Sequence, residues 1–128
     1  MSTKNLALPT YGHVQPFIDR TGAPPLRDLA FGTWRTHAAC NGHADEIDWF
    51  AACGTLHSRR AIGVCEGCPV RRDCLAAAFT FGEEYGVWGG LDELARRRHT
   101  RELRAGTPLG RLLDRVLLGL GRNTTPAA

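Results

Sequence analysis

Four cysteines carry the densest chemistry in this sequence. Cys65, Cys68 and Cys74 stand in one run, Cys65-Glu66-Gly67-Cys68-Pro69-Val70-Arg71-Arg72-Asp73-Cys74, and Cys40 lies well upstream. Four thiolates can close the ligand shell of a metal ion or of an iron–sulfur cluster. Zinc ribbons and fingers usually pair two short knuckles. Here there is a single C-x2-C pair, and His37, His43 and His57 have no matching spacing. A redox dithiol at Cys65 and Cys68 is a third reading, but that motif normally sits in a βαβ context, and no such pattern is visible here. Spacing alone leaves cluster and zinc both open.

Composition narrows the setting. The chain has 128 residues, five of them cysteine, and 43% apolar residues diluted by fifteen Gly and seven Pro. One domain with tails is expected, and its core must be small. An odd cysteine count fits full disulfide pairing badly. The opening residues hold no apolar run of signal-peptide length, and no segment approaches the roughly 20 apolar residues of a membrane span. The expectation is a cytoplasmic protein, where cysteine clusters bind metals or do redox chemistry. Net charge is +3 and unevenly spread: residues 92–128 hold eight arginines against four acidic residues. Lys4 is the only lysine. Arginine's planar fork suits phosphate. Arg96, Arg97, Arg98, Arg101 and Arg104 are thus the nucleic-acid candidates, against the plainer reading of a solvated helix face.

The elements that must position these groups read as mainly α. Residues 33–40 suggest a short helix capped by Thr33, stopped at Asn41-Gly42 and delivering Cys40 from its end. Residues 45–52 suggest another helical turn carrying Ile47, Trp49 and Phe50. Ser58 is a candidate cap for a helix leading to Val64. Pro69 can start a helix directly after Cys68 that runs to Phe81, with Cys74 inside it. Gly86-Val87-Trp88-Gly89-Gly90 must turn. A helix resumes over residues 91–105 and ends at Gly106. In the last helix Thr107 caps, Pro108 fits the first turn, and Leu109, Leu112, Leu113, Val116, Leu117 and Leu120 form one face up to Gly121. That face packs on the domain or serves a partner. The division is residues 1–32, a partly disordered extension; 33–91, the cysteine domain; and 92–128, an arginine-rich helix followed by an amphipathic one.

An ordered set of motifs adds a resemblance. Trp34 precedes Cys40, Asp48-Trp49-Phe50 follows it, then come the C-x2-C-P-V-x3-C run, Gly86-Val87-Trp88-Gly89-Gly90 and a basic stretch. Over residues 33–105 this resembles the WhiB-like family of actinobacterial regulators, small cytoplasmic iron–sulfur proteins that control transcription. The resemblance implies a helical domain organised around one 4Fe–4S cluster per chain, held by Cys40, Cys65, Cys68 and Cys74. It implies a surface for the C-terminal domain of the principal sigma factor, with Trp34, Trp49, Phe50, Val87, Trp88, Gly89 and Gly90 as candidates. Promoter DNA contact by the basic stretch is also implied, although the Arg-Gly-Arg hook of some members is absent. The expected protein is a monomer before partner binding and not an enzyme. Oxygen or nitric oxide would attack the cluster, and the freed thiols would form disulfides. Cys53 lies outside the family pattern: a small half-buried residue, a resolving thiol, or a substitute fourth ligand. The rival readings are a zinc-stabilised nucleic-acid-binding module and a thiol-disulfide reductase working through Cys65 and Cys68.

Overall fold

The computed structural model describes residues 13–43 and 45–119. Five α-helices occur among them: α1 Leu26–Phe31, α2 Leu56–Glu66, α3 Arg71–Phe81, α4 Glu93–Arg104 and α5 Leu109–Leu118. Two 3-10 turns, Trp34–His37 and Ala39–His43, precede α2. No strand forms among the described residues, and the nearest thing to one is an isolated pair in which Trp88 and Leu91 exchange backbone hydrogen bonds of 3.0 and 2.9 Å. The mainly α expectation therefore holds.

Helix α3 is the axis. Every residue from Leu75 to Phe81 is buried. Three consecutive alanines, Ala76, Ala77 and Ala78, let neighbours approach on several sides. Helix α5 packs on it with Leu109, Leu112 and Leu113 fully buried, and α1 packs with Leu29 and Ala30. Ile18, Phe79, Phe81 and Leu103 complete this core. Each such side chain removed from water contributes about 1.5–3 kcal/mol. The periodic leucine face of the last helix is thus turned inward, as its spacing suggested.

Residues 13–31 contribute Ile18, Leu29 and Ala30 to this core. Their backbone carbonyls also start α5: Asp19 and Thr21 accept from the N–H groups of Leu109 and Gly110 at 2.8 and 2.9 Å. That replaces the expected Thr107 cap, since a helix's first N–H groups take any well-aimed acceptor. The approach is close. A Cβ on Gly110 would lie 2.5 Å from the Gly22 Cα, so only glycine fits there. Arg72 ties the same region together, donating to Asp114 at 2.7 Å and to the Gly22 carbonyl at 3.0 Å.

Several local expectations shift. Residues 33–40 form two tight 3-10 turns instead of one α-helix, and Thr33 makes no side-chain cap. Asn41 does not end the element; it reaches back to the carbonyls of Arg35 and Thr36. Residues 45–52 are turns, because Asp48 accepts from the Phe50 N–H at 3.0 Å and offers the backbone an alternative to a helix. Thr55, not Ser58, caps α2, accepting from the Ser58 N–H. Helix α2 continues past Val64 to Glu66. Helix α3 begins at Arg71, two residues beyond Pro69. Leu91 pairs with Trp88, so α4 starts only at Glu93, capped by Asp92, whose side chain accepts from the Ala95 N–H at 2.9 Å. Helix α5 ends at Gly119 in the left-handed conformation. Leu120, the expected stop at Gly121 and the tail beyond lie outside the described residues, as do residues 1–12.

Candidate functional site

The four cysteines arrive from four different local structures. Cys40 sits in the second 3-10 turn and Cys65 in the last turn of α2; Cys68 lies in the connection and Cys74 in the first turn of α3. All four line one cavity of about 470 Å³, together with Trp34, Trp49, Phe50, Val87, Trp88 and Gly89. All five cysteines are free thiols. Among the described residues no three His, Cys, Asp or Glu side chains converge where a single metal ion would sit. The sulfurs instead line the walls of a larger space.

Backbone N–H groups are aimed at these sulfurs. Ala39 donates to Cys68 at 3.3 Å. The N–H groups of Gly89 and Gly90 favour the charged forms of Cys74 and Cys65. Positive φ angles at Gly86, Gly89 and Gly90 allow the turn that brings these amides inward. The turn is held from three sides. Val87 donates to the Trp49 carbonyl at 2.9 Å, Arg71 Nε donates to the Gly89 carbonyl at 2.6 Å, and Arg96 donates to the carbonyls of Gly86 and Leu91, both at 2.7 Å.

Burial pushes the Cys74 thiol up to about 12, the Cys65 charge adds to this, and the Gly89 N–H opposes it. Burial also raises Cys65, against the Gly90 N–H and the Arg71 charge, and raises Cys40, with Cys68 adding. Bare thiolates are therefore costly here. A bound metal reverses this, because a coordinating thiol is deprotonated outright. A 4Fe–4S group suits the donor set: it takes four separate thiolates, and its sulfurs accept N–H bonds. The residues present fit such a group.

The aromatic candidates differ in setting. Trp34 lines the cavity yet donates from its indole to the Leu29 carbonyl at 3.1 Å, linking the site to the core. Arg35 lies 4.3 Å over its ring. Phe50 is 70% exposed at the cavity mouth, whereas Trp49, Val87 and Trp88 are half-buried. Gly90 is buried and faces a neighbouring hollow that also contains Cys53 and Arg98.

The arginines of α4 separate as well. Arg97, Arg98, Arg101 and Arg104 are exposed. Arg104 lies 4.0 Å over the Phe17 ring. Arg96 is 3% exposed, and its guanidinium is committed to the turn's carbonyls. As a phosphate contact it is therefore a misreading: it faces inward and has become a structural clamp. Sequence reasoning missed Arg71, Arg35 and Ala39 as parts of the site. Nothing in the sequence distinguishes Arg71 from Arg72 beside it, and a backbone N–H carries no residue signature.

Residues 34–99 match a family model described as "Transcription factor WhiB". The transcriptional regulator WhiB2 of Mycobacterium tuberculosis is 39% identical over 77 residues, 60% of this chain and 84% of that protein. WhiB of Streptomyces coelicolor is 40% identical over 65 residues, covering 51% and 72%. A third relative, named the redox- and pH-responsive transcriptional regulator WhiB3 of Mycobacterium tuberculosis, is 38% identical over 69 residues, covering 49% and 67%.

Proposed function

This chain belongs to the WhiB family of transcription factors, and on that premise we propose that it holds one 4Fe–4S cluster and regulates transcription in response to oxidants or nitric oxide. The observation that carries this reading is the convergence of Cys40, Cys65, Cys68 and Cys74 on one cavity with N–H donors aimed at three of the sulfurs. Those four cysteines are the ligands. When bound, the group supplies a redox- and nitric-oxide-reactive centre whose integrity reports on the surroundings.

The chain's own residues do the rest. Trp34, Trp49, Val87 and Trp88 limit water access, and exposed Phe50 at the mouth offers an anchor to a partner. The partner proposed is the C-terminal domain of the principal sigma factor, met at this mouth. Arg97, Arg98, Arg101 and Arg104 lie exposed on α4 for promoter phosphates. Loss of the cluster would free four thiols able to pair as disulfides, a local change with a global readout. Such a protein works in the cytoplasm; among the described residues no helix is long and apolar enough to cross a membrane.

Metal analysis after anaerobic purification tests the reading. About four irons and four sulfides per chain, with visible absorption bleached by air, are expected. One zinc per chain and no colour would overturn it in favour of a structural zinc domain.

A further inference from the structure

One peptide group in the Gly-rich turn faces two charged neighbours at once. Its carbonyl, that of Gly89, accepts from Arg71 Nε at 2.6 Å. Its N–H, that of Gly90, is turned to the Cys65 thiol and favours its charged form. Among the described residues no peptide bond is cis, so this group is trans and planar, and its carbonyl and N–H point in opposite directions. Fixing one end fixes the other. We propose that Arg71 is a positioning residue for the cysteine site: by holding the Gly89 carbonyl it sets the plane of the Gly89–Gly90 peptide and aims the Gly90 N–H at Cys65.

Two further observations support the assignment. The guanidinium lies flush on the turn: a Cβ on Gly90 would come within 2.8 Å of Arg71 Nη2 and 3.0 Å of Nε. Glycine at position 90, with φ of 85°, leaves room for that approach. A cation on a carbonyl oxygen also polarises the peptide and strengthens its N–H as a donor. Arg96 is a useful contrast. It grips Gly86 and Leu91, the ends of the turn, and touches neither end of the peptide that meets sulfur. Arg71 itself opens α3, three residues before Cys74, so the same helix supplies a ligand and the group that orients the donor to another.

The consequence for redox chemistry rests on the cluster reading above. Hydrogen bonds to ligand sulfurs and nearby positive charge raise the reduction potential of an iron–sulfur centre. Arg71 acts through both.

The test uses the full chain with Arg71→Gln and Arg71→Lys. In the metal-free, reduced protein, amide hydrogen exchange is followed at Gly90, with Val87 and Leu91 as controls because their N–H groups bond to Trp49 and Trp88 carbonyls instead. Gly90 should exchange about tenfold faster in Arg71→Gln, the size of effect expected from one charge-assisted bond, with Arg71→Lys between. The controls should keep their rates. An unchanged Gly90 overturns the proposal. So does a rise shared by Val87, Leu91 and the amides of α3, since that marks a loss of fold rather than of aim. In the loaded protein the midpoint potential should fall in Arg71→Gln, and an unchanged potential removes the tuning role. If the wild-type chain takes up no iron, the cluster reading fails while the exchange experiment still decides on Arg71.

Discussion

The cysteine region and the leucine core are stabilised by different means. Around α3 and α5 the chain buries leucines completely. Around Cys40, Cys65, Cys68 and Cys74 few large apolar side chains are fully buried, and the wall is built from turns, 3-10 segments and backbone hydrogen bonds around a cavity. Helix α2, which carries Cys65, contacts the Ala39–His43 turn, and Ala61 is its one fully buried apolar residue. Much of the leucine core also comes from outside the family match: residues 13–31 and α5 flank residues 34–99 on either side. The segment that matches the family model is here braced by flanking residues that pack conventionally. Helix α3 belongs to both regions, with Cys74 at one end and the alanine-rich buried stretch beyond it.

If the regions are so divided, Leu112→Ala should cost the metal-free protein about 2–5 kcal/mol, the range for truncating a fully buried leucine. Cys40→Ser in the same protein should change stability by less than about 0.5 kcal/mol, because Cys40 is exposed. Denaturant unfolding compares the two, and equal effects would break the distinction.

Next in size is the joint between the N-terminal segment and α5. Gly110→Ala would force a Cβ to 2.5 Å from Gly22 Cα, and overpacking of this kind costs about 1–3 kcal/mol. Protease susceptibility of residues 13–31 should rise with it. Loss of stability without that rise would mean that the segment is held chiefly elsewhere.

The smallest effect sharpens the α4–α5 contact. Burial pushes the Glu102 carboxyl up, but hydrogen bonds from His99 and Arg115 outweigh it and hold the group below its usual range. A depressed carboxyl stabilises the fold above its unfolded-state value, and the contribution disappears as pH falls through the lower folded value. The ion pair is partly exposed, so the gain is below about 1 kcal/mol. Glu102→Gln should flatten the acid limb of stability against pH, below about pH 4.5, by that amount. An unchanged limb would show that Arg115 adds nothing to the packing of α5.

The sequence by itself marked the four cysteines as one set, the turn at Gly86-Val87-Trp88-Gly89-Gly90 and a leucine face along α5. Thiols at short spacing, glycines at a forced turn and a helical leucine repeat each express a local chemical requirement. Tertiary structure decided the rest. Arg96 and Arg97 are neighbours in one arginine run, yet one is a buried clamp and the other is solvent-facing, because α4 docks with a definite side toward the turn. Residues 45–52 have helical composition, but an Asp48 side-chain bond and the pairing of Trp49 with Val87 hold them as turns. The start of α5 is capped by carbonyls some ninety residues away in sequence, and the Gly89 carbonyl is gripped by Arg71, eighteen residues before it. Backbone donors and acceptors are the same at every residue, so only the folded chain could say which of them would meet.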